Sequence, residues 1–127
     1  MVGVLLAHLV GDYILQSDWM ANEKTKRWFP AWAHGVTYGL PFLFVTNSPW
    51  ALAVIVVTHV VIDRYRLAKY VVWAKNFIAP RKWWYSWREC SGTGYHHSRP
   101  AWLATWLLII ADNTIHLVIN VAAVRYL

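Results

Sequence analysis

An all-α fold, an integral membrane four-helix bundle, is the architecture this sequence predicts, and three observations predict it. The chain is 58% hydrophobic and only 14% charged, whereas soluble domains run nearer a quarter charged. Four apolar stretches read as membrane spans, at about residues 2–19, 31–46, 50–72 and 101–124. All lysines and arginines except Arg125 fall in two segments, Lys24 to Arg27 and Arg64 to Arg99, a distribution that orients spans by the positive-inside rule. Ten tryptophans and seven tyrosines suit the same class, because amphipathic rings favour the bilayer interface.

The first stretch lacks the basic start and the small-residue cleavage site of a signal peptide, and it contains His8 and Asp12. It is therefore expected to be a span that is kept. The second follows Pro30, which suits a helix start, and ends at Asn47-Ser48-Pro49, which reads as a tight turn. A bilayer crossing takes about 20 residues, so the third and fourth stretches qualify outright, and the first two need a thinned bilayer or snorkelling ends. The links after the first and third spans are basic, and the link from Thr46 to Trp50 carries no charge. Both basic links are thus expected in the cytoplasm, with the N and C termini outside. The whole chain, 1–127, reads as one transmembrane domain without internal repeats.

Residues 73–100 differ in character. They interleave Arg81, Lys82, Arg88 and Arg99 with Trp83, Trp84, Tyr85 and Trp87. Beside a span, that mixture predicts a cytoplasmic segment lying on anionic lipid headgroups. Base stacking is the alternative use of such residues, but no nucleic-acid partner is expected despite a net charge of +6. Gly92 and Gly94 predict a flexible loop. The one cysteine, Cys90, excludes an internal disulfide and has no metal-site spacing.

The polar residues inside the spans carry the chemistry. Residues four apart share a helix face. His8, Asp12 and Gln16 form one stripe, His59 and Asp63 a second, and Asp112, His116 and Asn120 a third. The second span adds His34, with Tyr38 one turn on. The predicted orientation lets these groups converge in the cytoplasmic half of the bundle. Ionisable groups at membrane depth are costly and by default functional. Imidazole and carboxylate on inward helix faces are the ligand set of zinc, manganese or non-haem iron. The expected metal ligands or their supports are His8, Asp12, His34, His59, Asp63, Asp112 and His116. The bland reading of any one pair is a hydrogen bond between helices; three pairs and His34 at matched depth favour a metal, zinc first. Metal-assisted hydrolysis is then the natural chemistry, with Asp12 or Asp63 as base and Lys24 as an anion clamp. Lys24 as a plain topology charge is the ordinary alternative. His96 and His97, being adjacent, read as loop residues. No glycine-rich phosphate loop, serine nucleophile elbow or thiol pair is present.

"HLVGDYILQSDWM" from His8 to Met20, Lys24, His34, "HVVID" from His59 to Asp63 and "DNTIH" from Asp112 to His116 together resemble the bacterial and phage integral-membrane family known as domain of unknown function 3307. The match covers the chain apart from residues 74–100. The resemblance implies a small multi-pass protein of the bacterial inner membrane, in some cases phage-encoded, without implying an activity. A looser similarity to bacterial membrane-bound metal-dependent hydrolases implies hydrolysis, and the expected membrane location alone suggests a lipid-linked or phosphorylated substrate. Three readings follow: a metal-dependent hydrolase at the cytoplasmic membrane face, a proton or ion relay using the same stripe, and a non-enzymatic membrane interaction protein such as one that excludes competing phage. A homo-oligomer sharing apolar faces is compatible with each.

Overall fold

Seven α-helices and no strand make up the chain in the computed structural model, which describes all residues from 1 to 127. They are α1 (Val2–Leu9), α2 (Asp18–Glu23), α3 (Trp28–Gly39), α4 (Pro49–Tyr65), α5 (Ala68–Lys75), α6 (Trp87–Cys90) and α7 (Ala101–Tyr126). The all-α prediction holds. By length and composition, α7 is the one helix able to cross a membrane, so the four predicted spans reduce to one candidate. Two of the predicted spans are not continuous helices. Residues 2–19 pass through a π-helical turn (Val10–Ile14) and then stop, because Ser17 Oγ accepts from Met20 N at 3.3 Å and starts α2 afresh. Residues 50–72 break at Arg66, whose φ of 51° no helix accommodates.

The chain forms two compact units, residues 1–65 with 116–127, and residues 66–115. In the first, α3 continues as a 3-10 turn (Leu40–Phe44), and Pro49 opens α4. Ser48 Oγ accepts from Ala51 N and donates to the carbonyl of Leu127, pinning the chain end. Tyr38, Phe42, Ala51, Ile55 and Ala123 form a buried apolar cluster with Val4 and Ala7. The helices approach closely at glycines. A β-carbon at Gly11 would sit 2.6 Å from Tyr38 Cδ2, and one at Gly39 would sit 2.6 Å from Val56 Cγ2. Both are far inside van der Waals contact, so only glycine permits these approaches.

The unit also buries polar groups beside its apolar core. His8, His34, His59, Asp63, His116 and Asn120 are buried, while Val2, Leu5, Leu6, Trp28, Phe29, Trp32, Val36, Val57 and Val61 are exposed.

In the second unit, the segment predicted as a flexible loop is built. Trp73 Nε1 donates to the Tyr85 carbonyl at 3.0 Å, and Tyr70 stacks on Trp87 at 4.6 Å. Gly94, at φ +86°, packs where a β-carbon would overlap Lys69 O and Val72. Its N–H donates to the Cys90 carbonyl at 2.7 Å, and its own carbonyl accepts from Asn76 Nδ2. Backbone groups paired in this way replace the freedom that Gly94 suggested.

Candidate metal centre

Three elements of the first unit each bring one or two polar groups to a common point. The π-helical turn after α1 carries Asp12, α3 carries His34, and α4 carries His59 and Asp63 one turn apart. A π turn interrupts the regular α-helical spacing, and such turns recur at functional sites. His34 and His59 meet because Gly35, next to the first, lets α3 settle onto Val60, next to the second.

The result is a group of four donor atoms. His34 Nε2 and His59 Nε2 lie 2.9 Å apart. Asp12 Oδ1 is 3.3 Å from each, and Asp63 Oδ2 is 3.4 Å from each. All four lie within 4.8 Å of one another, a spacing that can hold a metal ion. The Nδ1 atoms of both histidines are buried without a partner, so packing rather than a second hydrogen bond aims these rings. The Tyr38 ring supplies part of it, stacked on His59 with centroids 3.6 Å apart and planes 12° apart.

A further layer holds the carboxylates. Asp63 Oδ1 accepts from His116 Nε2 at 3.2 Å, which leaves Oδ2 toward the common point. Asp12 Oδ2 lies 3.6 Å from His8 Nδ1. His8 Nδ1 in turn shares a hydrogen bond of 2.8 Å with the Tyr38 hydroxyl, which also accepts from Asn120 Nδ2 at 2.6 Å. At the rim, Lys24 Nζ donates to Asp63 Oδ2 at 2.5 Å and to Gln16 Oε1 at 2.6 Å. Buried imidazoles beside paired carboxylates, with one lysine, make a site of mixed charge that a cation would complete.

The family model described as "Protein of unknown function (DUF3307)" matches residues 1–126. The chain belongs to that family. Neither the curated proteins nor the solved structures give a match.

Of the seven metal-site residues expected in this DUF3307 chain, Asp12, His34, His59 and Asp63 supply the four donors. His8 and His116 stand behind them as supports for the two carboxylates. Asp112 is one turn before His116 on α7, on the stretch that belongs to the second unit, and is partly buried. His96 and His97 lie in the second unit, His96 against the Tyr85 ring. The sequence reading placed Tyr38 and Asn120 on the polar stripes without a task. It also passed over Gly35-x-x-x-Gly39, a spacing that marks close helix approach and would have flagged the α3–α4 contact.

Proposed function

We propose that this DUF3307 chain is a multi-pass protein of the bacterial inner membrane that holds a divalent transition metal, zinc first, for hydrolysis at the cytoplasmic face. One observation carries the reading: the spacing of the four donors. Zinc takes nitrogen and oxygen ligands at about 2.0–2.1 Å in a tetrahedron, whose edges are then about 3.3–3.4 Å. The four N···O separations here are 3.3, 3.3, 3.4 and 3.4 Å, and the N···N separation of 2.9 Å is somewhat shorter. When bound, the ion would supply Lewis acidity, and it would acidify a water only by taking it as a fifth ligand beside the four donors. The chain's own groups would do the rest. Asp12 keeps one oxygen toward the ion and one toward His8, so it can take a proton and hold it beside an imidazole. His116 orients Asp63, and Lys24 is placed to meet an anionic group.

The membrane setting draws on the many exposed apolar side chains of the first unit and on the cation–aromatic pairs of the second unit. Arg81 stands over Trp84, Arg99 over Trp83, and Lys69 over Trp87, each at 5.3–5.6 Å. Basic and aromatic groups together suit anionic headgroups, and a lipid-linked or phosphorylated substrate fits that location. The test is elemental analysis of detergent-purified protein. About one zinc per chain is expected, lost on His59→Ala with Asp63→Ala; fully folded but metal-free wild-type protein would overturn the proposal.

A second reading draws on a different observation. Buried and partly buried polar groups follow one another from Asn120 through Tyr38, His8 and Asp12 to His34, His59, Asp63 and His116, with the widest step, 3.6 Å, between His8 and Asp12. Such a series can relay protons without a metal. Proton flux in liposomes from metal-free protein would favour it.

A further inference from the structure

Asp63 Oδ2 belongs to two arrangements at once. It is one of the four donors, 3.4 Å from Nε2 of both His34 and His59. It also accepts the 2.5 Å bond from Lys24 Nζ. An ion at the common point and the ammonium would put two positive charges on one oxygen, and at such short range in a buried site their repulsion is large.

The surroundings say which group yields. The backbone of the link that carries Lys24 is held to α4, because the Arg64 guanidinium donates to the carbonyls of Thr25 and Lys26 and packs over Trp28 at 5.3 Å. The Lys24 side chain is 18% exposed, against 6% for Asp63. The movable part is therefore the four-carbon stem and its ammonium, a compact charge with rotatable donors. Its other partner, Gln16 Oε1, is neutral and does not compensate it. The charge count points the same way. With neutral imidazoles, Asp12, Asp63 and Lys24 sum to −1, and a divalent ion takes the site to +1. A loaded site thus has an unpaired ammonium at its rim and attracts an anion.

We propose that Lys24 is the exchangeable cation of this site. It neutralises Asp63 when no ion is bound, competes with a divalent ion for Asp63 Oδ2, and once displaced binds a phosphate-type oxyanion beside the ion. The inference rests on the metal reading above and adds to it an ion-dependent anion subsite formed by Lys24, with Gln16 as its resting partner.

Zinc affinity by chelator competition, on wild type, K24M and K24R in detergent, tests the first half. K24M should bind zinc about tenfold tighter or more, the size of effect a charge at this range has on an ionisable neighbour, and K24R should stay close to wild type. Equal or weaker zinc binding by K24M, in protein that melts like wild type, overturns the inference and leaves the metal site standing. No zinc binding by wild type removes both. The second half is read from calorimetry with two phosphate sources: inorganic phosphate in solution, and phosphatidic acid in nanodiscs of zwitterionic lipid. Binding of either by the zinc-loaded protein, absent without zinc and lost in K24M, supports the subsite and names its source. Failure of both in wild type, or retention by K24M, overturns it.

Discussion

Gly35 on α3 lies so close to Val60 on α4 that a β-carbon at position 35 would overlap the Val60 Cγ2 methyl. The residues beside them, His34 and His59, consequently bring their Nε2 atoms to 2.9 Å. Alanine has the better intrinsic helix propensity, by about 1 kcal/mol, yet Gly35→Ala should destabilise. Overpacking a buried contact costs about 1–3 kcal/mol, and the overlap here is with a branched side chain that has little room to turn. Thermal melting in detergent reads the loss. Val60→Ala in the same chain should recover part of it, along with the zinc binding that a widened His34–His59 gap would weaken.

His116 is outside the group of four donors, and its Nε2 donates to Asp63 Oδ1 at 3.2 Å and sets that carboxylate's rotation. Groups that orient a metal ligand typically account for about 10–100-fold in affinity. His116→Ala should weaken zinc binding by that order, whereas His59→Ala should abolish it. Chelator competition on the two variants separates an orienting role from a ligating one, and equal losses would show that His116 is itself a donor.

The Tyr38 hydroxyl joins Asn120 Nδ2 and His8 Nδ1 in a fully buried setting. Tyr38→Phe keeps the ring stacked on His59 and removes only the oxygen. Each buried polar group so stranded costs about 1–3 kcal/mol, so the melting temperature should fall. Asn120→Leu added to Tyr38→Phe should cost less than the two changes summed, because it removes one of the stranded partners. Strict additivity would argue that the three groups do not act together.

Outside the first unit, Glu89 gives a pH dependence with a defined sign. Its Oε2 accepts from Ser86 Oγ at 2.7 Å and Ser86 N at 2.9 Å, forming the capping box of α6. The Ser86 hydroxyl, then its N–H, holds the carboxyl below the usual glutamate range. A folded-state pKa below the unfolded value means that the stabilisation is present above the unfolded pKa of about 4.3 and is lost as pH falls through the lower folded value. The protection of the α6 amides, taken relative to their intrinsic exchange rates, should therefore fall as pH drops through that lowered value, and Glu89→Gln should flatten that response.

Much of this was legible beforehand. Apolar runs broken by Asn-Ser-Pro and by basic links marked the helices, and the i, i+4 spacing of His8 with Asp12 and of His59 with Asp63 put each pair on one face. The helix ends were not legible. Ser17 capping a fresh helix and Arg66 adopting positive φ are local events inside stretches whose composition stays apolar or basic throughout. The order built into residues 73–100 was hidden for a related reason. Gly94 looked like freedom, but its backbone is hydrogen-bonded and packed against Lys69 and Val72.

What the sequence by itself determined is the helical class, the confinement of positive charge to two segments, and the set of histidines and carboxylates on shared helix faces. Periodicity settles which residues look out from the same side of one helix. It says nothing of how close two helices come or which atoms then meet. That was decided by Gly11, Gly35 and Gly39, which let the helices approach until Asp12, His34, His59 and Asp63 face one point. It was decided also by the Arg64 anchor, which holds the link bearing Lys24 where its ammonium reaches Asp63.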